Sequence, residues 1–185
     1  METLKAIFTR QSIGDMRPDP VPHELIEKLL SAAVQAPNHY KVRPWRFVVL
    51  TGAGRERLGD VIAQSFAAKF PDAPSTALDK ERSKPLRAPV IIAVGVDKPS
   101  EPKVLEIENI CAAAAAVENL LLAAQALGLA AKWRTGDDSR DPRVKEFLGF
   151  APEQTLIALV YIGYPAAEAG MMNRPGYEDR AVWMG

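Results

Sequence analysis

Residues 103–135 read KVLEIENICAAAAAVENLLLAAQALGLAAKWRT, and this stretch predicts how the chain packs. From Lys103 to Leu127 the pattern is that of one long helix, rich in alanine and apolar almost all round at its centre. A helix of this kind is buried on several sides, inside a domain or between subunits. A short strand is predicted from Ala130 to Thr135. Other elements must therefore cover the long helix.

The rest of the chain alternates between strand and helix patterns, as expected of one domain. Strands are predicted at 46–50, 89–96 and 155–162, and helices at 1–9, 23–35, 55–69 and 141–148. The strands at 89–96 and 155–162 are continuous apolar runs, which is typical of buried strands. Pro71 and Pro74 mark a loop, and the polar segment that follows up to Lys84 is predicted to be mobile.

The composition excludes several classes of protein. The 185 residues carry 23 lysines and arginines against 23 aspartates and glutamates, so the formal net charge is zero. Proteins that bind nucleic acid or anionic membranes normally carry a basic excess, so neither partner is expected. With 48% hydrophobic and 25% charged residues, the chain has the composition of an ordinary globular protein. Its single cysteine excludes an intramolecular disulfide and a cysteine-based zinc cluster.

A cytoplasmic location is expected from the absence of targeting signals. The first residues, METLKA, lack the basic flank and apolar core of a signal peptide. A membrane span needs roughly 18 apolar residues without a charge. Glu118 interrupts the one stretch of that length, from Ile110 to Ala131.

Hydrolytic and metal-dependent chemistry finds little support in the sequence. There is no G-x-S-x-G motif for a serine nucleophile. Cys111 lies in the alanine-rich helix, where a thiol is usually a small core residue. The two histidines, His23 and His39, do not have the i, i+4 spacing of metal ligands.

The turn at Gly52-Ala53-Gly54 follows a predicted strand and opens a predicted helix, as a dinucleotide fingerprint does. The third glycine of that fingerprint allows close packing of helix on strand, and Arg57 stands in its place. An ordinary turn is therefore favoured. A plain α/β nucleotide-binding domain that uses this turn stays as an alternative.

Three polar segments carry side chains that suit a ligand. Arg10-Gln11-Ser12 ends the first helix, and its arginine either complements the helix dipole or binds a phosphate bidentately. The loop at 36–45, APNHYKVRPW, is either a solvated loop or the rim of a polar cofactor site. Trp133-Arg134-Thr135-Gly136 follows the long helix and is either an interfacial tryptophan beside a surface arginine or part of the same rim.

Taken in this order, the three segments resemble the FMN-dependent nitroreductase family, in particular its short, single-domain branch of NAD(P)H nitroreductases. The resemblance rests on Arg10-Gln11-Ser12, on Ala36-Pro37-Asn38-His39 leading to Arg43-Pro44-Trp45-Arg46-Phe47, and on Trp133-Arg134-Thr135-Gly136. It covers the chain from Met1 to about Pro165.

The resemblance implies an α+β fold with a central, largely antiparallel sheet surrounded by helices. It also implies a homodimer with one FMN per subunit in a groove between the two chains. The cofactor-binding residues that it implies are Arg10, Gln11 and Ser12 for the phosphate and ribityl chain, Gln35 and His39 across the dimer interface, and Trp133, Arg134 and Thr135 along the flavin. Residues 163–185, an apolar tail without a period, are expected to pack on the partner subunit.

The implied activity is an NAD(P)H oxidoreductase that reduces nitroaromatic, quinone-like or related small-molecule acceptors through FMN N5, with ping-pong kinetics. Such chemistry needs no acid–base pair from the protein, which supplies binding, orientation and electrostatics. The alternative on the same fold is a flavin-binding module without physiological turnover.

Several cations of the family pattern are missing from their usual positions in this chain. Larger members carry a lysine shortly after the first motif, near the flavin N1, whereas this chain has Gly14 and Asp15 there. Arg134 or Lys41 are the candidates for a positive group near N1 and O2, which would stabilise the reduced flavin. Arg174 and Arg180 are the candidates for the C-terminal cations that bind the phosphate.

Overall fold

The computed structural model describes residues 2–168, 170 and 172–185; Met1, Ala169 and Met171 lie outside the described residues. Its centre is a four-stranded antiparallel sheet with the strand order β1-β2-β4-β3. The strands are β1 (Trp45–Leu50), β2 (Val90–Val96), β3 (Ala130–Arg134) and β4 (Thr155–Gly163). Helices lie around this sheet, so the predicted α+β architecture with a central antiparallel sheet is confirmed.

The described part of the chain forms seven α-helices. They are α1 (Thr3–Thr9), α2 (His23–Ala33), α3 (Ala53–Lys69), α4 (Ser75–Ser83), α5 (Glu106–Ala126), α6 (Asp137–Arg140) and α7 (Pro142–Phe147). Helix α5 therefore begins three residues later and ends one residue earlier than the long helix predicted from Lys103 to Leu127. The four-residue α6 carries no apolar period and was not predicted from the sequence.

The helices cover both faces of the sheet. On one face α5 and α2 pack on alternate residues of β2 and β4, with Leu29, Val117 and Leu120 fully buried at the centre. On the other face α3 and α7 pack around Leu58, Ile91 and further side chains of β4. Both faces of β2 are buried, which explains its continuous apolar run.

By length and composition, α5 is the one described helix that could cross a membrane. Its apolar side chains instead contact the sheet and α2, and eight of its residues are buried within the fold. Core packing therefore accounts for its composition.

Helix α4 lies in the polar segment for which no helix was predicted; that the segment is mobile stays a prediction. It carries no buried residue and no apolar stripe, so its pattern does not indicate a helix. Helix α4 is held by close contact with α3. The carbonyl oxygen of Arg82 lies so near Gly59 of α3 that a Cβ on Gly59 would collide with it. Arg82 also pairs with Asp60 of α3 at 3.0 Å and with Asp79 at 2.6 Å.

The turn at Gly52 is an ordinary strand-to-helix turn. Gly52 has φ +44° and precedes α3, which suits a glycine. The preceding strand β1 pairs antiparallel with β2, so the parallel strand–helix–strand unit of a dinucleotide fingerprint is not formed here.

The tail divides into a part that contacts its own chain and a part that does not. The amide of Arg17 donates to Tyr164 O at 2.9 Å, and the amide of Ala166 donates to Asp15 O at 3.1 Å. The last apolar residues are almost fully exposed: Val182, Trp183 and Met184. The expectation that residues 163–185 pack on a partner subunit stays a prediction.

Candidate functional site

The first motif lies along the free edge of β3. Ser12 forms a parallel bridge with Ala131, and the amide of Ile13 donates to Ala131 O at 3.1 Å. This pairing joins two segments that are more than a hundred residues apart in sequence. It runs the first motif alongside the strand that carries Trp133 and Arg134, with Ser12 opposite Ala131. We call this arrangement, residues 10–14 with residues 131–135, the β3-edge site.

Arg10 is positioned by the end of α1. Its backbone leaves the helix with ψ 130°, while its amide still donates to Ala6 O at 2.9 Å. Its side chain is mostly buried, and its Nε lies 3.3 Å from a carboxylate oxygen of Glu118 on α5. The guanidinium is therefore held in place while its remaining N–H groups stay available for an anion.

The C-terminal tail returns to the first motif. Arg174 donates from Nη2 to the carbonyl oxygen of Arg10 at 2.5 Å, and Gln11 donates from Nε2 to Gly170 O at 2.5 Å. A second guanidinium thus lies beside Arg10. In the sequence, only its positive charge marked Arg174 as a candidate for the phosphate. The other candidate, Arg180, is exposed and pairs with its neighbour Asp179.

Two hollows flank the first motif. One, of about 880 Å³, lies beside Gln11 between α1, the end of α5 and the tail. The other, of about 580 Å³, lies beside Gly14 and is bordered by Arg17, Arg55 and Arg87. Both volumes are within the range of small-molecule sites, roughly 300–1,000 Å³.

The side chains of β3 point to opposite faces of the sheet. Trp133 packs with α5 and donates from its indole nitrogen to Ile157 O at 3.0 Å. Arg134 is on the other face, with its guanidinium carbon 5.3 Å from the centre of the Tyr161 ring. Burial raises the pKa of Tyr161 to about 12, so this ring stays neutral at physiological pH. Thr135 follows the strand and is exposed.

The loop at 36–45 has unusual backbone geometry. Tyr40, Lys41 and Arg43 have φ between 50° and 58°, a left-handed region that non-glycine residues rarely adopt. Asn38 holds the loop, because its Oδ1 accepts a hydrogen bond from the amide of Arg43 at 2.9 Å. Strained backbone of this kind is concentrated at functional sites, which supports a binding role for the loop.

Gln35 and His39 are not joined to the β3-edge site of the same chain. Gln35 is exposed at the end of α2 and donates to Ser31 O at 3.2 Å. His39 is exposed, packs edge-on against Tyr40 at 4.3 Å between ring centres, and borders an open groove along α5. Cys111 lines the same groove and is exposed, so the expectation that it is a core residue is wrong.

A second polar cluster has a structural role. Asp141 is buried, accepts hydrogen bonds from Ser65 and from the amide of Arg143, and pairs with Lys69 at 2.8 Å. It caps α7 and ties that helix to α3. Its hydrogen-bonding needs are met within the chain.

The chain matches the model of the Nitroreductase family over residues 7–164. It is 32% identical over 169 residues to a protein of Escherichia coli (strain K12) named "Putative NAD(P)H nitroreductase YdjA", covering 91% of each chain. It is 36% identical over 174 residues to a Methanothermobacter thermautotrophicus protein named "Putative NADH dehydrogenase/NAD(P)H nitroreductase", covering 92% of this chain and 81% of the relative.

Solved structures share the fold. A nitroreductase-like family protein from Bacillus cereus superposes with a TM-score of 0.86 over 100% of this chain and 96% of the other, at 24% identity. A Desulfovibrio desulfuricans protein described as a nitroreductase in complex with FMN superposes with a TM-score of 0.75 at 28% identity, covering 100% and 98% of the two chains.

Proposed function

The chain belongs to the nitroreductase family, as its motifs predict, and from that premise we propose that it is an FMN-dependent NAD(P)H oxidoreductase. The observation that carries the proposal is the β3-edge site, where Arg10-Gln11-Ser12 lies against the strand of Trp133 and Arg134. The acceptors that fit a flavin enzyme of this type are nitroaromatic, quinone-like or related small molecules.

The donors at the β3-edge site fit the phosphate and ribityl chain of FMN. Arg174 brings a second guanidinium to the backbone of Arg10, and guanidinium binds phosphate through paired N–H donors. The hydroxyl of the exposed Ser12 and the amide of Gln11 add neutral donors that suit phosphate and ribityl oxygens. These three residues and Arg174 would hold the polar end of the cofactor.

A homodimer would complete the flavin site. Gln35 and His39 lie apart from the β3-edge site, on the side of the chain where α5 is uncovered. Leu105 and Ile107 of that region are each 60% exposed, and the apolar tail ends in exposed Trp183. Leu105 and Ile107 are exposed together at the start of α5, and grouped apolar side chains are typical of an interface. Across it, His39 and Gln35 of one subunit would approach the FMN of the other.

Bound FMN would supply hydride acceptor and donor chemistry at its N5, and the protein would bind, orient and shield it. Trp133, fixed by its hydrogen bond to Ile157 O, offers a rigid wall for the ring, and Thr135 offers a hydroxyl at its border. Nicotinamide and acceptor would occupy one groove in turn. We therefore expect ping-pong kinetics, seen as parallel lines in double-reciprocal plots.

The first experiment tests cofactor binding. The purified protein, with FMN added, should show an absorbance band near about 450 nm and a rise in Tm, because a ligand that binds only the folded chain stabilises it. A protein that gains neither the band nor the thermal shift contradicts the proposal.

The second experiment tests turnover. Under anaerobic conditions, NADH or NADPH should bleach the flavin band, and an acceptor such as a quinone or nitroaromatic compound should restore it. A band that persists with both nicotinamides would identify a flavin-binding module without turnover, which is the alternative on this fold.

Substitution of Arg10 tests the phosphate site. Arg10→Ala should weaken FMN binding by about tenfold to a hundredfold, since a charge-assisted hydrogen bond contributes roughly 1.5–3 kcal/mol. Arg57→Ala is the matched control, because Arg57 is exposed on α3 and lines neither hollow beside the first motif. Titration of FMN into each FMN-stripped protein measures both affinities, and equal affinities would remove Arg10 from the site.

A further inference from the structure

The hollow of about 580 Å³ beside Gly14 concentrates positive charge, and we call it the arginine hollow. Three separate segments form it: residues 14–18, the first turn of α3, and residues 86–89 before β2. Each segment contributes one guanidinium, from Arg17, Arg55 and Arg87. Two carboxylates, those of Asp15 and Glu56, also line the hollow, so three cations face two anions. The lining is therefore positive although the whole chain has no net charge.

Arg55 carries a charge that is partly buried and has no counter-ion among the described residues. Its Nη1 donates to Ala88 O at 2.6 Å, which fixes the guanidinium beside the hollow. Its Nε is buried and has no hydrogen-bond partner in the described part of the chain. The ion pairs formed there do not include Arg55. Taking a charge out of water costs free energy unless an opposite charge pairs with it, so this position favours an anion.

Two further cations at the arginine hollow have no carboxylate within 4 Å among the described residues. Arg87 is exposed and lines the hollow. Lys132 is exposed and lies against Gly14 at the border, where an added Cβ would be 3.1 Å from Lys132 Nζ. Arg17, by contrast, is paired, because its Nε lies 3.2 Å from a carboxylate oxygen of Asp19. With Arg55, an anion in the hollow would thus meet three unpaired cations.

The arginine hollow lies on the opposite face of the sheet from the groups proposed to bind FMN. Ala88, which lines the hollow, belongs to the core that α3 and α7 cover, and Met16 packs against that core. Trp133 packs in the core under α5, and Arg10 pairs with Glu118 of α5. The sheet and its edge therefore separate a ligand in the hollow from the proposed cofactor.

We propose that the arginine hollow is a second anion site, which binds a phosphate group, either as inorganic phosphate or as part of a phosphorylated small molecule. Guanidinium binds phosphate oxygens through paired N–H donors. A phosphate ester carries about two negative charges near pH 7, which suits three unpaired cations better than the single charge of a carboxylate. The volume is within the range of small-molecule sites, roughly 300–1,000 Å³. Bound FMN is not required for this site.

Titration calorimetry in phosphate-free buffer tests the site. The protein is saturated with FMN, so that the first motif is occupied, and is then titrated with inorganic phosphate, ribose 5-phosphate or acetate at constant ionic strength. Both phosphates should bind and raise the Tm. Acetate should bind at least about tenfold more weakly, because it carries a single charge. Tighter binding of ribose 5-phosphate identifies a phosphate ester as the ligand, and equal binding of both identifies inorganic phosphate.

The Arg10→Ala chain separates the arginine hollow from the first motif. Titrated without FMN, this variant should bind phosphate as the FMN-loaded wild type does, since Arg10 does not line the hollow. Loss of phosphate binding in Arg10→Ala would place the phosphate at the first motif and overturn the proposal.

Substitution of Arg87 tests the lining of the hollow. Arg87→Gln should weaken phosphate binding by about tenfold, because a charge-assisted hydrogen bond is lost, and should leave the Tm of the phosphate-free protein unchanged, because Arg87 is exposed. Arg55→Gln should weaken binding as well, but it also loses the bond to Ala88 O and should lower the Tm. Arg57→Gln is the matched control, since Arg57 is exposed on α3 and does not line the hollow.

Two more results would overturn the second anion site. One is a wild-type protein that binds neither phosphate. The other is an equal loss in Arg87→Gln and Arg57→Gln, which would mean that the surface attracts phosphate without a defined site. A protein that binds phosphate in the hollow but no FMN would overturn the proposed function and leave this site in place.

Discussion

Asp141 is a buried carboxylate whose partners control its charge. Burial alone would raise the pKa of Asp141, but the hydrogen bonds from Lys69 and Ser65 outweigh burial and hold the pKa below its usual value. The same hydrogen bond raises the pKa of Lys69. A carboxyl with a lowered folded-state pKa adds stability above its unfolded pKa and loses that contribution as the pH falls through the folded value.

Asp141→Asn should therefore destabilise the chain in a pH-dependent way. We expect the free energy of unfolding to fall by about 1–2 kcal/mol at neutral pH, and the difference from the wild type to shrink below about pH 4. Urea unfolding at neutral pH and at successively lower pH measures it. Asp79→Asn, which removes an exposed partner of Arg82, should change stability little throughout. A deficit of Asp141→Asn that persists unchanged into acid would contradict this account.

Single residues were predictable where neighbours in sequence define them. Arg10-Gln11-Ser12 could be selected as an anion site because the arginine, amide and hydroxyl are contiguous at a helix end. The close approach of Lys132 to Gly14, where an added Cβ would lie 3.1 Å from Nζ, could not be predicted, because it depends on the bridge between Ser12 and Ala131. The family resemblance implies that Trp133 and Arg134 both line the flavin, but strand alternation turns their side chains to opposite faces of the sheet.

At the level of elements, the contact between α3 and α4 depends on Gly59. A Cβ there would collide with the backbone oxygen of Arg82, which cannot move without shifting α4. Gly59→Ala should lower the free energy of unfolding by about 1–3 kcal/mol, although alanine favours helix over glycine by roughly 1 kcal/mol.

Gly54→Ala in the same helix is the control for that substitution. Its Cβ would meet Leu50 Cδ2 at 3.3 Å, the end of a side chain that can rotate. We expect Gly54→Ala to equal or exceed the wild type in stability. If Gly59→Ala does the same in thermal unfolding, α4 does not pack on α3 as described.

The predicted elements differ in how well the sequence indicates them, and the reason is burial. The strands β2 and β4 are apolar because both of their faces are covered, and α5 is apolar because eight of its residues pack in the core, so their patterns were predicted within a few residues. The helix α4 has no buried residue, and its ion pair with α3, between Arg82 and Asp60, leaves no periodic pattern in the sequence. Polar elements held by backbone contact are therefore missed.

For the whole molecule, the exposed apolar surface predicts a homodimer. Ile107 is 60% exposed at the start of α5, next to the groove that His39 borders. In an isolated chain, Ile107→Glu changes only a solvated side chain and should not alter folding. In a dimer that covers this face, it buries an unpaired carboxylate and should cause dissociation to the 20.2 kDa chain.

Phe70→Glu is the matched control, because Phe70 is a similarly exposed apolar residue, 55% accessible, at the end of α3. Sedimentation velocity should show the wild type and Phe70→Glu at twice the chain mass and Ile107→Glu at the chain mass. FMN affinity should fall in Ile107→Glu alone, because His39 and Gln35 would no longer reach the cofactor of the other subunit. A wild type that sediments as a single chain and binds FMN would show that one β3-edge site is sufficient, and the interface role of His39 would be wrong.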